Sequence, residues 1–340
     1  YLFYSKNIIM TRILFLFSFS IFSLVFSQEK NLAQKLGYKK NAKLLIIHGD
    51  DIGMSNSVTK ASFDGFINSS INSGSVMVPC PWLLEVVDFY NQYPEFDLGL
   101  HLTLTAEWKN YKWDGVTSSN QISSLLNDKN HFYDNTTDVF FKANPDQVRK
   151  EIQAQIDLSR AVGLNPTHID SHMGSLFVKK ELFKVYLEVA HQNKLISFVP
   201  PRTSDFFDRD FPKPDHVVLV DDFFMLYPVS DREFVEKNVG KKQAENILVS
   251  EYNLKEWIEK YSAKIESLKP GLTVILVHLG YDDNELKAVT IDHPEYGSYW
   301  RQLDYDALNS KQIKNIIKNN NIKLVSWKEI QNVVYPKKID

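Results

Sequence analysis

The stretch LLIIHGDDIGMS, residues 44–55, combines an apolar run with two adjacent carboxylates, Asp50 and Asp51. The run Leu44 to Ile47 predicts a buried strand. A buried strand seldom ends in neighbouring acids unless a cation, a proton acceptor or the start of a helix accounts for them. A turn followed by a helix capped by Ser55 is the plain structural explanation. A functional explanation depends on whether other strands end in the same chemistry.

Short apolar runs alternate with amphipathic helical patterns from this stretch onward. The runs that predict strands are residues 44–47, 75–78, 98–104, 167–169, 196–199, 217–220, 273–277 and 322–325. Strands separated by helices, with no Gly/Ser-rich linker, predict an α/β fold, namely a single-domain, irregular (β/α) barrel with seven or eight mainly parallel strands. No glycine-rich phosphate loop follows the first strand, which argues against a nucleotide-binding open sheet.

Helices are predicted between the strands, and two long stretches interrupt the pattern. The helical patterns cover residues 55–71, 148–159, 182–189, 254–268 and 313–317. Residues 106–144 and 280–301 are rich in aromatic and polar side chains and are predicted to be irregular. Loops of that length usually act as lids or substrate walls, and we expect the same here.

The first 27 residues predict a secretory signal peptide. An apolar stretch, residues 13–26, follows Arg12, and Ser27 is a small residue at a suitable cleavage point. The stretch is shorter than the roughly 20 residues of a spanning helix, so cleavage is favoured over a membrane anchor. We interpret the residues before Met10 as lying upstream of the true start. The predicted mature chain, 28–340, is then exported to the periplasm or the extracellular medium, without stable membrane insertion.

Charge and cysteine content exclude several kinds of protein. The formal net charge of the 340 residues is −3, and removal of Lys6 and Arg12 with the leader changes it to −5. This balance does not favour nucleic acid binding. Cys80 is the only cysteine in the sequence, so no intramolecular disulfide is possible and the core must supply the stability. The sequence leaves the oligomeric state open.

Titratable side chains follow several of the predicted strands. In a parallel barrel the chemistry lies at the carboxyl ends of the strands, where the loops converge. The side chains at those positions are Asp50, Asp51, His101, His168, Asp170, His172, Arg202 and His278. One carboxylate with two imidazoles suits a divalent metal that keeps open coordination positions, such as Zn²⁺ or a harder ion. Each histidine also has a structural explanation as a hydrogen-bonded core residue.

Three segments resemble the signature blocks of the YdjC/ChbG family of carbohydrate deacetylases. They are LLIIHGDDIGMS at 44–55, LGLHLTLT at 98–105 and PTHIDSHMG at 166–174, in the same order and at similar spacing. The resemblance implies a distorted (β/α) barrel, a divalent cofactor (Mg²⁺ or Zn²⁺) and removal of acetyl groups from an N-acetylated oligosaccharide.

The resemblance also implies roles for individual residues. Asp51, His101 and His172 match the metal ligands, and Asp50 matches the general base. The strand TVILVH, residues 273–278, resembles a late strand of the family that ends in a histidine. His278 is therefore expected to protonate the departing amine, because its ordinary pKa lies near neutrality.

Other positions concern the substrate. Arg202 and Asp170 are predicted to bind it. The chain has Met173, Gly174 and Ser175 where the family commonly continues with histidines, and His48 where an asparagine is usual. These departures predict that the sugar recognised differs from chitin fragments.

Three other functions fit part of the pattern. A non-haem iron oxygenase uses similar ligands but needs a different scaffold. A glycoside hydrolase would use two of Asp50, Asp51 and Asp170, which leaves the histidines unexplained. A secreted carbohydrate-binding protein would use exposed aromatic platforms, although ordinary loop packing explains the same aromatics equally well. The candidate platforms are Trp108, Trp113, Tyr281 and Trp300.

Overall fold

A computed structural model of the chain describes residues 30–228, 248–249, 253–293 and 295–336. The predicted signal peptide and its cleavage point lie outside these residues and stay a prediction. The described residues from Leu32 onward cluster as one compact unit, in agreement with the predicted single domain. Within the described ranges, no helix has the length and apolar character needed to cross a membrane.

Parallel strands form one curled main sheet and a separate pair. The strands are β1 (Lys43–Ile52), β2 (Ser73–Val76), β3 (Leu98–Leu102), β4 (His168–Ser171), β5 (Ile196–Ser197), β6 (Asp222–Phe224), β7 (Tyr227–Pro228), β8 (Leu248–Val249), β9 (Gly271–Val277) and β10 (Lys323–Leu324). The main sheet has the order β5-β4-β3-β2-β1-β9-β6, β10 pairs with β1, and β7 and β8 form a separate pair. The predicted α/β class and irregular (β/α) barrel are confirmed.

Helices follow most of the strands. They are α1 (Leu32–Lys35), α2 (Asn56–Asn68), α3 (Leu83–Gln92), α4 (Thr136–Lys142), α5 (Pro145–Ala161), α6 (Lys180–Gln192), α7 (Leu254–Glu266), α8 (Asn284–Val289), α9 (Ser298–Asn309), α10 (Lys311–Asn319) and α11 (Trp327–Val334). Ser55 caps α2 as predicted, because its side chain accepts a hydrogen bond from the backbone N–H of Val58 over 3.2 Å.

The first strand, β1, pairs with three other strands. Residues 43–49 of β1 pair with residues 271–277 of β9 on one side. On the other side β10 pairs with its first half and β2 with its second half. All residues of β1 except Lys43 are buried. The carboxyl end of β1, which carries Asp50 and Asp51, is therefore surrounded by protein on both sides.

One predicted strand, Val217–Val220, is wrong. Over these residues the structure has an isolated bridge between Val199 and Leu219, and the strand β6 begins only at Asp222. Asp222 pairs with Thr273 of β9, which itself begins at Gly271. In this register, residues 217–219 lie before the first residue of β9, so β9 offers them no partner.

The two stretches predicted to be irregular contain some regular structure. Residues 106–144 include two single-turn 3₁₀ helices, at Ser119–Gln121 and Ser123–Leu125, and the helix α4. Residues 280–301 include α8 and the first residues of α9. The beginning of α9 matters for the site, because it carries Arg301.

Candidate active site

Asp51 lies at the centre of the site in an unusual backbone conformation. Its φ is +64°, in the left-handed region that residues with a Cβ seldom adopt. Its Oδ2 accepts a hydrogen bond from Arg301 Nη2 over 2.7 Å, and both side chains are nearly fully buried. Burial would raise the pKa of Asp51, but the Arg301 charge and neighbouring imidazoles hold it well below its usual value. The carboxylate is thus ionised, with one oxygen held by the guanidinium.

The second oxygen of Asp51 faces two imidazoles. Oδ1 is buried and has no hydrogen-bond partner. It lies 3.3 Å from His101 Nε2 and 3.4 Å from His172 Nδ1. The three atoms lie within 4.8 Å of one another and could hold a metal ion. A buried oxygen without a partner is costly, so a cation shared by these atoms fits the arrangement well.

Sheet register places His101 beside an acid. His101 of β3 is the direct partner of Asp170 on β4. The distance from His101 Nδ1 to Asp170 Oδ1 is 2.7 Å, which leaves Nε2 facing Asp51. Asp170 is buried, and its other oxygen lies 2.9 Å from His48 Nε2. Asp170 therefore fixes the orientation of His101 from beneath the site, and its predicted contact with substrate stays a prediction.

His172 reaches the site through a sharp turn after β4. The next two residues, Met173 and Gly174, have φ values of +52° and +66°. The imidazole uses Nδ1 toward Asp51, while its Nε2 lies 2.9 Å from Glu107 Oε2. Its ring packs edge-on against His101, with centroids 5.1 Å apart. Glu107 comes from the long stretch after β3, so that stretch contributes to the site.

Asp50 lies beside the three converging atoms. Its Oδ1 is 3.1 Å from His48 Nε2 and accepts a hydrogen bond from Ser75 Oγ over 3.3 Å. Its Oδ2 is 3.7 Å from His101 Nε2. His48 and Asp50 face the same side of β1, as strand alternation predicts. Asp50 is thus fixed through one oxygen, while the other lies near the candidate ligands.

Carboxylates raise the pKa values of three histidines at the site. Burial alone would lower the pKa values of His101 and His172, but nearby carboxylates raise both, that of His172 to about 9. Burial also works against a charged His48, yet Asp170 and Asp50 raise its pKa to about 9. Protons on imidazoles balance the acids in this arrangement. A divalent cation can replace them, since metal ligation requires neutral imidazoles and releases protons.

His278 follows β9 at the edge of the site. Its backbone N–H donates to Asp304 Oδ2 over 2.9 Å, and its ring packs against Tyr296. Burial lowers the pKa of His278 to about 4, so the imidazole is neutral near pH 7. A neutral imidazole must gain a proton before it can give one to an amine. The predicted role as general acid therefore stays a prediction.

Arg202 lies at the surface beside the turn that carries His172. Its side chain is exposed, and Nη2 lies 3.0 Å from where a Cβ would stand on Gly174. A glycine at that position leaves room for the guanidinium. The exposed position of Arg202 suits a contact with substrate, and that contact stays a prediction.

The described residues give little support to the other functions considered. Trp108, Trp113 and Trp300 are 2%, 4% and 1% exposed, so they pack in the interior and offer no stacking platform. Asp50 and Asp170 both lie within 3.1 Å of the same nitrogen, His48 Nε2. Each of these two acids therefore has an imidazole partner, which a pair of glycosidase carboxylates does not require.

Sequence reasoning missed three residues of the site, namely Arg301, Asp304 and Glu107. Arg301 and Asp304 come from one face of α9 and reach Asp51 and the His278 N–H respectively. The signal was available, because both charges fall among the apolar positions of an amphipathic helix. Glu107 had no such signal in the irregular stretch after β3.

Comparison with known proteins gives consistent matches. The family model described as YdjC-like protein matches residues 44–319. A carbohydrate deacetylase from Thermoanaerobacter pseudethanolicus is 25% identical over 285 residues, covering 84% of this chain and 98% of that protein. A carbohydrate deacetylase from Thermus thermophilus is 31% identical over 170 residues, covering 50% of this chain and 58% of that protein.

A solved structure shows the same fold. It comes from an Enterococcus faecalis protein named after cellobiose-phosphate cleavage, and it matches with a TM-score of 0.64 at 22% sequence identity. The match covers 85% of this chain and 99% of that one.

Proposed function

The chain belongs to the family of YdjC-like proteins, and from that premise we propose that it is a metal-dependent hydrolase that removes acetyl groups from N-acetylated sugars. The resemblance seen in the three sequence segments is confirmed by the family match. Relatives that bear the name carbohydrate deacetylase support the substrate class and the reaction.

One observation carries the metal part of the proposal. Asp51 Oδ1, His101 Nε2 and His172 Nδ1 converge in a buried space, and the carboxylate oxygen has no hydrogen-bond partner. One carboxylate and two imidazoles would hold a divalent ion such as Zn²⁺ or Mg²⁺ and leave coordination positions open. When bound, such an ion supplies a Lewis acid for an acetamide carbonyl and lowers the pKa of a water molecule.

The protein side chains handle the protons. Amide hydrolysis converts the acetamide and one water into acetate and a free amine, so a proton must leave the water and another must reach the nitrogen. Asp50 is the proposed base, because His48 and Ser75 hold its Oδ1 while Oδ2 faces the ligand cluster. His278 is the proposed carrier of a proton to the amine, from its place at the end of β9.

The substrate is proposed to be an N-acetylated oligosaccharide that enters from the exposed side of the His172 turn. Arg202 and Met173 lie on that side and are exposed. Export of the mature chain, after removal of residues 1–27, is proposed from the sequence alone and is testable by fractionation of cells that produce the full chain.

The reaction is tested by the products formed. Purified protein supplied with Zn²⁺ or Mg²⁺ is incubated with N-acetylated oligosaccharides, and acetate, free amines and reducing ends are measured separately. The proposal predicts one amine for each acetate and no new reducing ends. New reducing ends with intact acetyl groups would identify a glycosidase instead. Sugar binding without any product would favour a carbohydrate-binding protein.

Asp50→Asn tests the proposed base. The variant is expected to lose at least about 100-fold in kcat, because general base catalysis contributes that much or more, while it keeps its metal. Asp128→Asn, which changes an exposed acid in the same way, is the matched control and should keep wild-type activity. Full activity in Asp50→Asn would rule out this residue as the base.

A further inference from the structure

We propose that Glu107 is a positioning residue that determines which ring nitrogen of His172 faces Asp51 and thereby sets the affinity of the site for its metal. This inference deepens the proposed function and rests on it. Glu107 lies just after the segment 98–105, and so outside the three sequence segments that gave the candidate metal ligands their roles.

The contact between Glu107 and His172 selects one form of the ring. A neutral imidazole carries a single N–H, and a carboxylate accepts it. Glu107 Oε2 lies 2.9 Å from His172 Nε2, so the proton belongs on that nitrogen. The lone pair is then on Nδ1, which lies 3.4 Å from Asp51 Oδ1. Without Glu107 either nitrogen could carry the proton.

The other histidine has a matching arrangement with the nitrogens exchanged. Asp170 lies 2.7 Å from His101 Nδ1, which leaves Nε2 to face Asp51. The two rings therefore present different nitrogens to the same point, and each has its own acid on the far side. An acid behind a ligating histidine orients the ring and increases its basicity. Two such acid–histidine pairs around one point are typical of a site that holds a cation.

Both neighbours of Glu107 in the chain are held by contacts. The N–H of Ala106 donates to Tyr133 O over 2.8 Å. The indole N–H of Trp108 donates to Met54 Sδ over 3.1 Å. The Arg301 guanidinium lies over the Trp108 ring, with its Cζ 5.7 Å from the ring centroid. The Glu107 side chain is only 13% exposed. The direction of its carboxylate thus follows from the packing of its neighbours.

Exposure distinguishes Glu107 from Asp170. The Asp170 side chain is 3% exposed and also contacts His48, so it belongs to a network beneath the site. Glu107 contacts His172 from the more open side. Replacement of Glu107 is therefore the cleaner way to disturb one ligand while the buried network remains intact.

The test measures Zn²⁺ affinity in the absence of substrate, by competition with a chromophoric chelator. Glu107→Ala is expected to weaken Zn²⁺ binding about 10- to 100-fold, the usual effect of losing such a partner. Glu107→Gln keeps an acceptor oxygen for the His172 N–H and should bind within about 3-fold of wild type. Glu95→Ala, a change at an exposed acid, is the matched control. Unchanged far-ultraviolet circular dichroism establishes that each variant is folded.

A spectroscopic measurement separates orientation from general damage. In the Zn²⁺-loaded wild type, the Nε2 proton of His172 should resonate downfield because the Glu107 carboxylate accepts it, and Glu107→Ala should lose this downfield shift. Wild-type affinity and an unchanged Nε2–H shift of His172 in Glu107→Ala would overturn the inference, whatever the enzyme does to sugars. Absence of deacetylation by the wild type would overturn the proposed function and leave the affinity result standing.

Discussion

Arg301 donates a hydrogen bond from Nη2 to Asp51 Oδ2 over 2.7 Å, although the two residues lie 250 positions apart in the sequence. Both side chains are buried, and the Nε–H of Arg301 donates to Tyr296 O. The guanidinium thus joins the start of α9 to the end of β1. By occupying one oxygen of Asp51, it leaves the other to face His101 and His172.

Arg301→Met is expected to lower the free energy of unfolding by about 3–5 kcal/mol in the presence of chelator, because it breaks a buried ion pair and leaves Asp51 Oδ2 without its partner. Urea denaturation gives the value. The double variant Arg301→Met with Asp51→Asn should recover part of the loss, since the unpaired charge is then absent. A single-variant loss below about 1 kcal/mol would show that the pair contributes little to the fold.

His48→Ala is expected to lower kcat about 10-fold with little change in metal affinity. The variant removes the contact to Asp50 Oδ1, and one lost hydrogen bond of this kind accounts for about that factor, while Asp170 still holds His101. Steady-state kinetics and Zn²⁺ competition measure the two quantities. His191→Ala, at an exposed histidine of α6, is the control. Loss of metal without loss of kcat per bound metal would contradict this role.

Asp304 should make the stability of the metal-free protein depend on pH. Burial raises its pKa from 3.8 to about 6, against the hydrogen bonds from Tyr261, His278 and Trp257. Since the folded-state pKa is the higher one, the stabilisation is complete below about pH 4 and is lost as the pH rises through 6. The total change from this group is about 3 kcal/mol.

The pH effect is isolated by comparison with Asp304→Asn. This side chain keeps an oxygen for Trp257 and Tyr261 but loses the acceptor for the His278 N–H, which gives a constant offset. From pH 4 to pH 7, urea denaturation in chelator should show the variant gaining stability relative to wild type. A difference that does not change with pH would mean that Asp304 is ionised throughout.

The convergence of the candidate ligands could be predicted from sequence, and the network that holds them could not. Asp51, His101 and His172 each follow or end a recognisable parallel strand, and parallel strands bring their carboxyl ends to one edge. The amphipathic pattern places Arg301 on the buried face of α9, but no local pattern encodes that this face meets the end of β1. Glu107 lies in a stretch without periodicity, so its direction depends on the packing of Ala106 and Trp108.

The wrong strand prediction and the aromatic residues that the sequence left open have similar causes. Residues 217–220 have the composition of a strand, but pairing depends on where β9 begins, and β9 begins too late for most of them. For Trp108 and Trp300 the sequence left exposure as sugar platforms and packing in the loops equally open. In the fold, Trp108 covers Arg301, and Trp300 packs against Trp257 with ring centroids 4.7 Å apart. Burial of these rings is a tertiary property.

The central claim is that Asp51, His101 and His172 hold a divalent metal that the protein needs to remove acetyl groups. The most direct measurement is acetate release from an N-acetylated oligosaccharide before chelation, after chelation and after Zn²⁺ or Mg²⁺ is restored, with metal content determined in each sample. The account predicts activity that disappears with the metal and returns with it, and His101→Ala or His172→Ala protein that neither retains metal nor releases acetate. Undiminished acetate release from metal-free wild type would contradict it.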